Sequence, residues 1–345
     1  MSAIPAPGPP VVSVIIPARN EEINLRACLE SVTSQAGIRL EIIVVDDHSS
    51  DRTAEIARSF AGVRVLEAPE LPAGWTGKNN AVAAGAAVAI GEWLLFTDAD
   101  TIHLPGSLAA SVEEARREKA NLLSYSPKQV VETFWERAVI PVIFAELAGT
   151  FRPEEISDAA SPAAAANGQY ILVRRDVYHA VGGHAAIGGH LLEDVALARA
   201  VKNAGRKIFF RYGGDRVRTR MYRNFDELRE GWTKNLVLLF PSPTKLAALR
   251  LAEFALVIAG LVTAGVGARE GRLLTALGIV PAALTFARLR REHFSVKTTA
   301  LAIFGLPVFS YLLLRSQRWH DQKRVTWKGR NYPGTEVNPG PELGV

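Results

Sequence analysis

The stretch that most constrains this chain is Trp93-Leu94-Leu95-Phe96-Thr97-Asp98-Ala99-Asp100. A short apolar run, preceded by Gly91-Glu92, stops abruptly in two carboxylates one residue apart. A run this short, with aromatics in it, fits a strand covered on both faces. In open α/β sheets ligands bind beyond the carboxyl ends of such strands, so Asp98 and Asp100 are expected at a ligand rim. An Asp-x-Asp pair there holds a hard divalent cation, which neutralises a diphosphate. The plainer alternative is a polar turn after a strand, and the pair alone does not separate the two.

The same pattern recurs earlier. Val11-Val12-Ser13-Val14-Ile15-Ile16-Pro17 is a second buried-strand signal, and Glu41-Ile42-Ile43-Val44-Val45 is a third, ending in Asp46 and Asp47. Asn20 is expected to cap the helix after the first, with Glu21 and Glu22 in its opening turn. Ser49, Ser50, Asp51 and Thr53 offer caps for the next. Strand, helix, strand, helix is the order of a parallel sheet wound in βαβ units. Val63-Arg64-Val65-Leu66 is a weaker strand. Gly74-Trp75-Thr76-Gly77-Lys78-Asn79-Asn80-Ala81 then opens an Ala/Gly-rich helix to Ala89, whose small residues predict close packing against sheet or ligand. Gly77-Lys78 is not a P-loop: no Gly stands five residues earlier, and Asn79 replaces Ser/Thr. No Gly-x-Gly-x-x-Gly fingerprint occurs either, so a bound nucleotide is held by another device.

Residues 105–119 predict a helix and 121–125 a strand. Residues 131–147 are apolar and aromatic with few charges, which fits either a core helix or a helix on a membrane surface. A polar, Ala-rich loop is expected over 151–166, a strand over 167–173, and a flexible loop between Gly182-Gly183 and Gly188-Gly189. Glu193-Asp194 opens a helix closed by Gly205. Its two acids have a structural explanation, since carboxylates suit a helix N-terminus. Residues 207–211 form the last strand.

Composition narrows the class. The chain has 345 residues, enough for one large domain or two smaller ones. The single cysteine, Cys28, excludes an intramolecular disulfide and is expected as a small core residue. Formal charge is +5, with the basic residues concentrated late, and the apolar excess lies after Leu249. Residues 1–10 are Ala/Pro-rich without the basic and apolar regions of a signal peptide. They are expected as a disordered lead-in, with the first domain in the cytoplasm.

Four phrases in order resemble family 2 glycosyltransferases of the GT-A fold: Val14-Ile15-Ile16-Pro17-Ala18-Arg19-Asn20-Glu21-Glu22, Val44-Val45-Asp46-Asp47-His48-Ser49-Ser50-Asp51-Arg52-Thr53, Asp98-Ala99-Asp100 and Glu193-Asp194. The resemblance covers roughly residues 11 to 240. Gly74-Trp75-Thr76-Gly77-Lys78 and Phe134-Trp135-Glu136-Arg137 are similar to the bacterial, membrane-associated branch linked with hopanoid and carotenoid glycosylation. The fold so implied is an α/β nucleotide-diphospho-sugar transferase fold, a mostly parallel sheet flanked by helices, followed by C-terminal transmembrane helices.

The resemblance also implies roles. Asp46 accepts from a uracil-type base edge, with Asp47 nearby, while Pro17, Arg19 and Glu21 line base and ribose. Lys78 brings positive charge to the nucleotide. Asp98 contacts ribose or metal, and Asp100 ligates Mg2+ or Mn2+. Asp194 is the general base and Glu193 orients the loop or acceptor. Gly168, Trp232 and Lys234 fall on the acceptor side. An acceptor hydroxyl is a poor nucleophile, so a carboxylate takes its proton as the bond forms. The leaving nucleoside diphosphate gains charge that a cation offsets. One displacement with one base inverts the anomeric centre. The Gln-x-x-Arg-Trp motif of polymerising relatives is absent from the Trp232 region, which argues against processive synthesis. Gln317-Arg318-Trp319 fits a membrane-interface cluster instead.

The C-terminal part predicts a membrane region. Residues 236–250, broken by Pro241 and Pro243, fit an interfacial segment, and apolar runs cover 251–267, 273–287 and 299–314. Core helices are the alternative. The expected domains are thus a catalytic domain over 11–235, the interfacial segment, a membrane region over 251–314 and a basic tail over 315–345. With the catalytic domain cytoplasmic in a multi-pass cell-membrane protein, Arg288, Arg290, Arg291 and Lys297 fall inside, as the positive-inside rule asks. Three spans put the basic tail outside, against the rule, unless one run is re-entrant. The expected partners are a nucleotide-sugar donor, read as a UDP-sugar, a lipid-like acceptor and the membrane, with no nucleic acid. Alternatives are transfer to polyprenyl phosphate, a polysaccharide synthase, and a non-catalytic nucleotide-sugar-binding protein.

Overall fold

The computed structural model describes residues 9–266, 272–290 and 293–332. The expected lead-in, apart from Pro9 and Pro10, and the tail from 333 onward lie outside the described residues. In chain order the elements are β1 (Val12–Ala18), α1 (Leu25–Thr33), β2 (Leu40–Asp46), α2 (Thr53–Arg58), β3 (Val63–Glu67), α3 (Gly77–Val88), β4 (Trp93–Phe96), β5 (Thr101–His103), α4 (Ser107–Arg117), β6 (Leu122–Ser126), β7 (Lys128–Gln129), α5 (Phe134–Thr150), α6 (Pro153–Ser157), β8 (Ile171–Arg174), α7 (Arg175–Ala180), α8 (Glu193–Asn203), β9 (Ile208–Tyr212), β10 (Val217–Thr219), α9 (Phe225–Leu239), α10 (Pro243–Val266), α11 (Arg272–Arg290), α12 (Val296–Leu301), α13 (Gly305–Asp321), β11 (Thr326–Trp327) and β12 (Arg330–Asn331). They form two compact units. The first comprises Met1–Val130 and Phe151–Arg220, the second Val131–Thr150 and Met221–Val345. The domain edge expected at residue 235 does not coincide with this division.

The first unit is a seven-stranded sheet in the order β3-β2-β1-β4-β8-β6-β9. Strand alternation sorts its side chains. Val12, Val14 and Ile16 of β1 pack under α1, α2 and α4, while Ile15, Ile43 and Val45 face α3, α7 and α8. Both faces are therefore covered, which explains the unbroken apolar runs. β1 pairs in parallel with β2 and β4, so their carboxyl ends meet at one rim. Pro17 lies beyond the β1–β4 register, which stops at Ile15 and Phe96, so its missing N–H costs no ladder bond on that side. The fold is a GT-A-like α/β arrangement with a mixed sheet. One strand, β8, runs antiparallel to both β4 and β6. The chain between β6 and β8 passes through α5 of the second unit, so it is not the crossover helix that a parallel return requires.

Local expectations are corrected at several places. Asn20 does not cap α1. Its backbone is left-handed (φ 52°), and its side-chain oxygen accepts from the N–H of Ser50 at 2.9 Å. The loop over 151–166 contains α6, and the loop over 182–189 contains a 3-10 turn, Gly183–Ala185. A second small sheet, β5-β10-β7, has strands too short to show a period. The small residues of α3 do pack closely: a Cβ on Gly85 would come 2.6 Å from Ile15 and 3.1 Å from Val45.

The second unit is helical. Ala138, Val139, Val142 and Ile143 of α5 share one core with Trp232 and Leu236 of α9 and Leu306, Phe309 and Leu313 of α13. Of the two readings for residues 131–147, the core helix holds for this face, while Phe134 and Trp135 are exposed. Glu146 of α5 sits between two cations, 2.9 Å from Arg250 of α10 and 2.8 Å from Arg288 of α11. Among the described residues two helical stretches are long and apolar enough to cross a membrane, Pro243–Thr263 and Val296–Asp321. They differ in packing: 17% of the apolar window is buried in the first and 50% in the second. The first seven residues of the expected tail, 315–321, are the last turns of α13, and Trp319 lies under Arg315 at 3.7 Å.

A Gly85→Val substitution is expected to lower stability by about 1–3 kcal/mol, because the added methyls meet β1 and β2 with no room to relax. Chemical denaturation of the two proteins measures it, and an unchanged midpoint would show that α3 rides loosely on the sheet.

Candidate active site

Three strand ends and two helix starts build the site. β1 and β2 deliver Pro17 and Asp46 at the sheet rim, and β4 delivers Thr97 and Asp98. α3 begins at Gly77, capped by the Thr76 hydroxyl accepting from the Asn79 N–H at 3.1 Å, which puts Lys78 in the first turn. α8 begins with Glu193 and Asp194.

Lys78 joins these elements. Its Nζ lies 2.7 Å from Asp98 Oδ1 and 2.7 Å from Glu193 Oε1. Burial alone would favour a neutral amine, but the two carboxylates outweigh it and hold Lys78 well above the ordinary lysine range. Asp194 accepts from the backbone N–H of Gly168 at 2.9 Å and from its neighbour Val195 at 2.8 Å. Burial, then the charge of Glu193, push its carboxyl up to about 6, against the pull of Lys78 and the two N–H donors. Gly168 allows this approach: a Cβ there would stand 3.1 Å from Lys78 Nζ, 3.2 Å from Glu193 Oε1 and 3.4 Å from Asp194 Oδ2. Pro17, Lys78, Thr97, Asp98, Gly168 and Glu193 line one small cavity, floored by Phe96 and His184.

The expected nucleotide residues lie on the neighbouring loops after β1 and β2, which are laced together. Arg19 donates to the carbonyl of Asp47 at 2.6 Å, the Glu21 N–H to the Thr53 hydroxyl at 2.7 Å, and the Glu22 N–H to Asp51 at 3.0 Å. Asp46 is buried, and its Oδ1 has no hydrogen-bond partner among the described residues. That oxygen is an acceptor facing no protein donor. Asp100 stands two residues after Asp98 in the same turn, and its carbonyl accepts from Thr219 at 3.2 Å. Among the described residues no group of three or more His, Cys, Asp or Glu is arranged as a metal cage. Asp98 and Asp100 supply only carboxylate oxygens, the donor type that suits Mg2+, which usually takes one or two protein carboxylates plus phosphate and water. The residues present therefore fit such an ion. Trp232 and Lys234 belong to the second unit. Trp232 is buried between Phe144 and Tyr222, and Lys234 lies over the ring of Trp327 at 5.2 Å.

Residues 13–182 match the family described as glycosyl transferase family 2. A 4,4'-diaponeurosporenoate glycosyltransferase of Staphylococcus haemolyticus (strain JCSC1435) is 32% identical over 336 residues, covering 93% of this chain and 88% of that protein. This chain belongs to glycosyltransferase family 2. The Staphylococcus aureus (strain MRSA252) protein of the same name is 28% identical over 334 residues, with the same coverage. Among solved structures, the mannosyltransferase PcManGT from Pyrobaculum calidifontis, in complex with GDP-Man and Mn2+, aligns with a TM-score of 0.55 at 18% identity, over 90% of this chain and 87% of that one. That likeness supports the GT-A-like fold. The family-2 enzyme is thus a glycosyltransferase with a small cavity lined from three of the four phrases, through Pro17, Asp98 and Glu193.

Sequence reasoning passed over His184. The Tyr178 hydroxyl accepts from the backbone N–H of His184 at 3.0 Å and lies 3.0 Å from Nδ1. Its proton is thus free for Nδ1, leaving the other ring nitrogen protonated. Burial pushes the ring down to about 4, so it is neutral at pH 7. A histidine among glycines carries no periodic signal, and only burial marks it. Thr97 was also passed over. It donates to the carbonyl of Gln169 at 2.8 Å and so ties the end of β4 to the turn that carries Gly168.

Lys78→Met should destabilise the protein most at neutral pH. The loss of the cation leaves Asp98, Glu193 and Asp194 to repel one another. Asp194 already has a raised folded-state pKa, and removing Lys78 raises it further, so the penalty exists above that pKa and fades as pH falls through it. Thermal unfolding of both proteins between pH 5 and about 8 reads this; a pH-independent difference would contradict the electrostatic role.

Proposed function

We propose that this chain moves a sugar from a nucleoside diphospho-sugar, read as a UDP-sugar, to a lipid-like acceptor such as a carotenoid or hopanoid, with inversion, at a membrane. The observation that carries this reading is Asp194: a carboxylate with a raised pKa, held by Gly168 and set beside the Lys78–Glu193 pair. A base poised near the working pH is what abstraction of a hydroxyl proton needs. Lys78 then faces the donor's diphosphate with its charge intact. Asp46 presents its unspent oxygen to the base edge; Pro17, Arg19, Glu21 and Asp47 frame base and ribose. Asp98 and Asp100 would hold Mg2+ or Mn2+, which when bound offsets charge on the diphosphate. Glu193 orients Asp194 and the acceptor. Gly168 holds the base, and Trp232 and Lys234 keep only the acceptor-side role that the family resemblance implies.

The membrane assignment rests on α10, whose apolar window is mostly exposed within the chain. Leu261 and Val262 are 61% and 58% exposed, which water does not favour and lipid does. The catalytic domain is placed in the cytoplasm.

A second reading follows from the relatives' name. Diaponeurosporenoate is a carboxylate, already ionised at neutral pH, and transfer to it removes no proton. Polyprenyl phosphate would share that property. Asp194→Asn separates these readings. For a hydroxyl acceptor, kcat should fall by about two to four orders of magnitude with donor binding retained, and the wild-type kcat/KM should lose activity as pH falls through about 6. Near-normal turnover of the variant would establish an ionised acceptor.

The activity itself is tested on carbonate-washed membranes given radiolabelled UDP- and GDP-sugars. Label is expected in the lipid extract and is expected to be lost with excess chelator. Label that enters only a water-soluble product, or full activity in chelator, would overturn the acceptor class or the metal assignment.

A further inference from the structure

The segment that opens α3 is locked to the loop that precedes α8. The side-chain amide of Asn79 donates to the carbonyls of Ile187 at 3.0 Å, Gly188 at 2.8 Å and His190 at 3.0 Å. The backbone N–H of Thr76 donates to the same Gly188 carbonyl at 2.8 Å. Trp75 lies over Gly188 so closely that a Cβ there would stand 2.3 Å from its ring. Gly189 meets the Gly74 carbonyl, 2.9 Å from where its Cβ would be. Asn79 is fully buried, and its Oδ1 has no partner among the described residues. The position therefore uses only the donor end of the amide, whose two protons are shared among three carbonyls. A purely structural filler here would be Ala, as along the rest of α3. The next residue, Asn80, is a useful contrast: its amide donates to the Pro69 carbonyl at 2.7 Å, away from this loop.

Consecutive residues of one turn thus reach the same acids by different means. Lys78 reaches Glu193 directly through its ammonium. Asn79 reaches it through the backbone, since the loop it grips ends at His190, just before α8 begins. We propose that Asn79 is a positioning residue: by clamping residues 187–190 it sets where Glu193 and Asp194 stand relative to Lys78 and Asp98. The inference rests on the reading of Asp194 as the base. Its chemical consequence follows from geometry, because a shift of about 1 Å in a catalytic group can cost on the order of a hundredfold in rate.

The test compares Asn79→Ala, Trp75→Ala and Asn80→Ala in the full-length, membrane-bound protein. Hydrogen exchange over residues 187–196, UDP affinity, kcat and Tm are measured for each. For Asn79→Ala, faster exchange over 187–190 and a kcat lower by about 10–100-fold are expected with UDP affinity unchanged. Trp75→Ala, at a partly exposed position, should show the same pattern more weakly and decides the matter if Asn79→Ala does not fold. Asn80→Ala should lower Tm without that kinetic split. Unchanged kcat in the folded clamp variants, an equal loss of UDP affinity, or the same kcat loss in Asn80→Ala would overturn the proposal. Full turnover of Asp194→Asn would instead remove the base reading, whereas an inactive Asp194→Asn beside a fully active Asn79→Ala removes only the clamp.

Discussion

The ammonium of Lys78 holds Asp98 and Glu193 at 2.7 Å each, and the site is arranged around that pair of contacts. Asp98 comes from the end of a central strand, Glu193 from the first turn of a helix far along the chain, and Lys78 from the first turn of α3. Three acids around one cation leave an excess of negative charge. The structure answers it by holding the lysine charged and by raising the Asp194 carboxyl, through burial and the charge of Glu193. A carboxylate becomes a usable base near neutrality when water is withheld and a like charge stands beside it. Both conditions come from the same close packing that Gly168 permits.

The rest of the rim is prepared by hydrogen bonds between loops. After β1 and β2 the chain makes turns through left-handed residues, Asn20 and His48. Reciprocal bonds between Asn20 and Ser49 or Ser50, and from Glu22 to Asp51, replace the ladder bonds that end with the strands. Backbone groups that would otherwise need water are satisfied within the protein. The Asp46 side chain, by contrast, keeps one buried oxygen, Oδ1, without a partner among the described residues, and such an acceptor at a strand end is a place for a ligand's donor.

The second unit solves a different problem. Its helices bury apolar faces against one another, yet Glu146, Arg250, Glu253 and Arg288 are drawn together inside it. Each guanidinium meets a carboxylate, as charges removed from water require. α13 contributes to that core, while α10 leaves much of its apolar surface uncovered. Two stretches that are each long and apolar enough to cross a membrane therefore differ in how much of their surface the chain covers.

The sequence by itself determined the strands of the seven-stranded sheet, because a strand covered on both faces is apolar throughout, and it determined that acids stand where β2 and β4 end. Asp46 and Asp98 were legible for that reason; Asp194, an acid that opens a helix, was legible through the four phrases in order, as was the family. The tertiary structure alone decided who meets whom. That Lys78 pairs with Glu193, that Asn79 grips the loop over 187–190, that His184 is buried and neutral, and that α5 joins the second unit are long-range facts. So is the reversal of β8 between β4 and β6. Periodicity reports which face of an element is buried, a property of neighbours in the chain. Partner choice, register and the local dielectric depend on residues distant in sequence, and these set the charge on Lys78 and the basicity of Asp194.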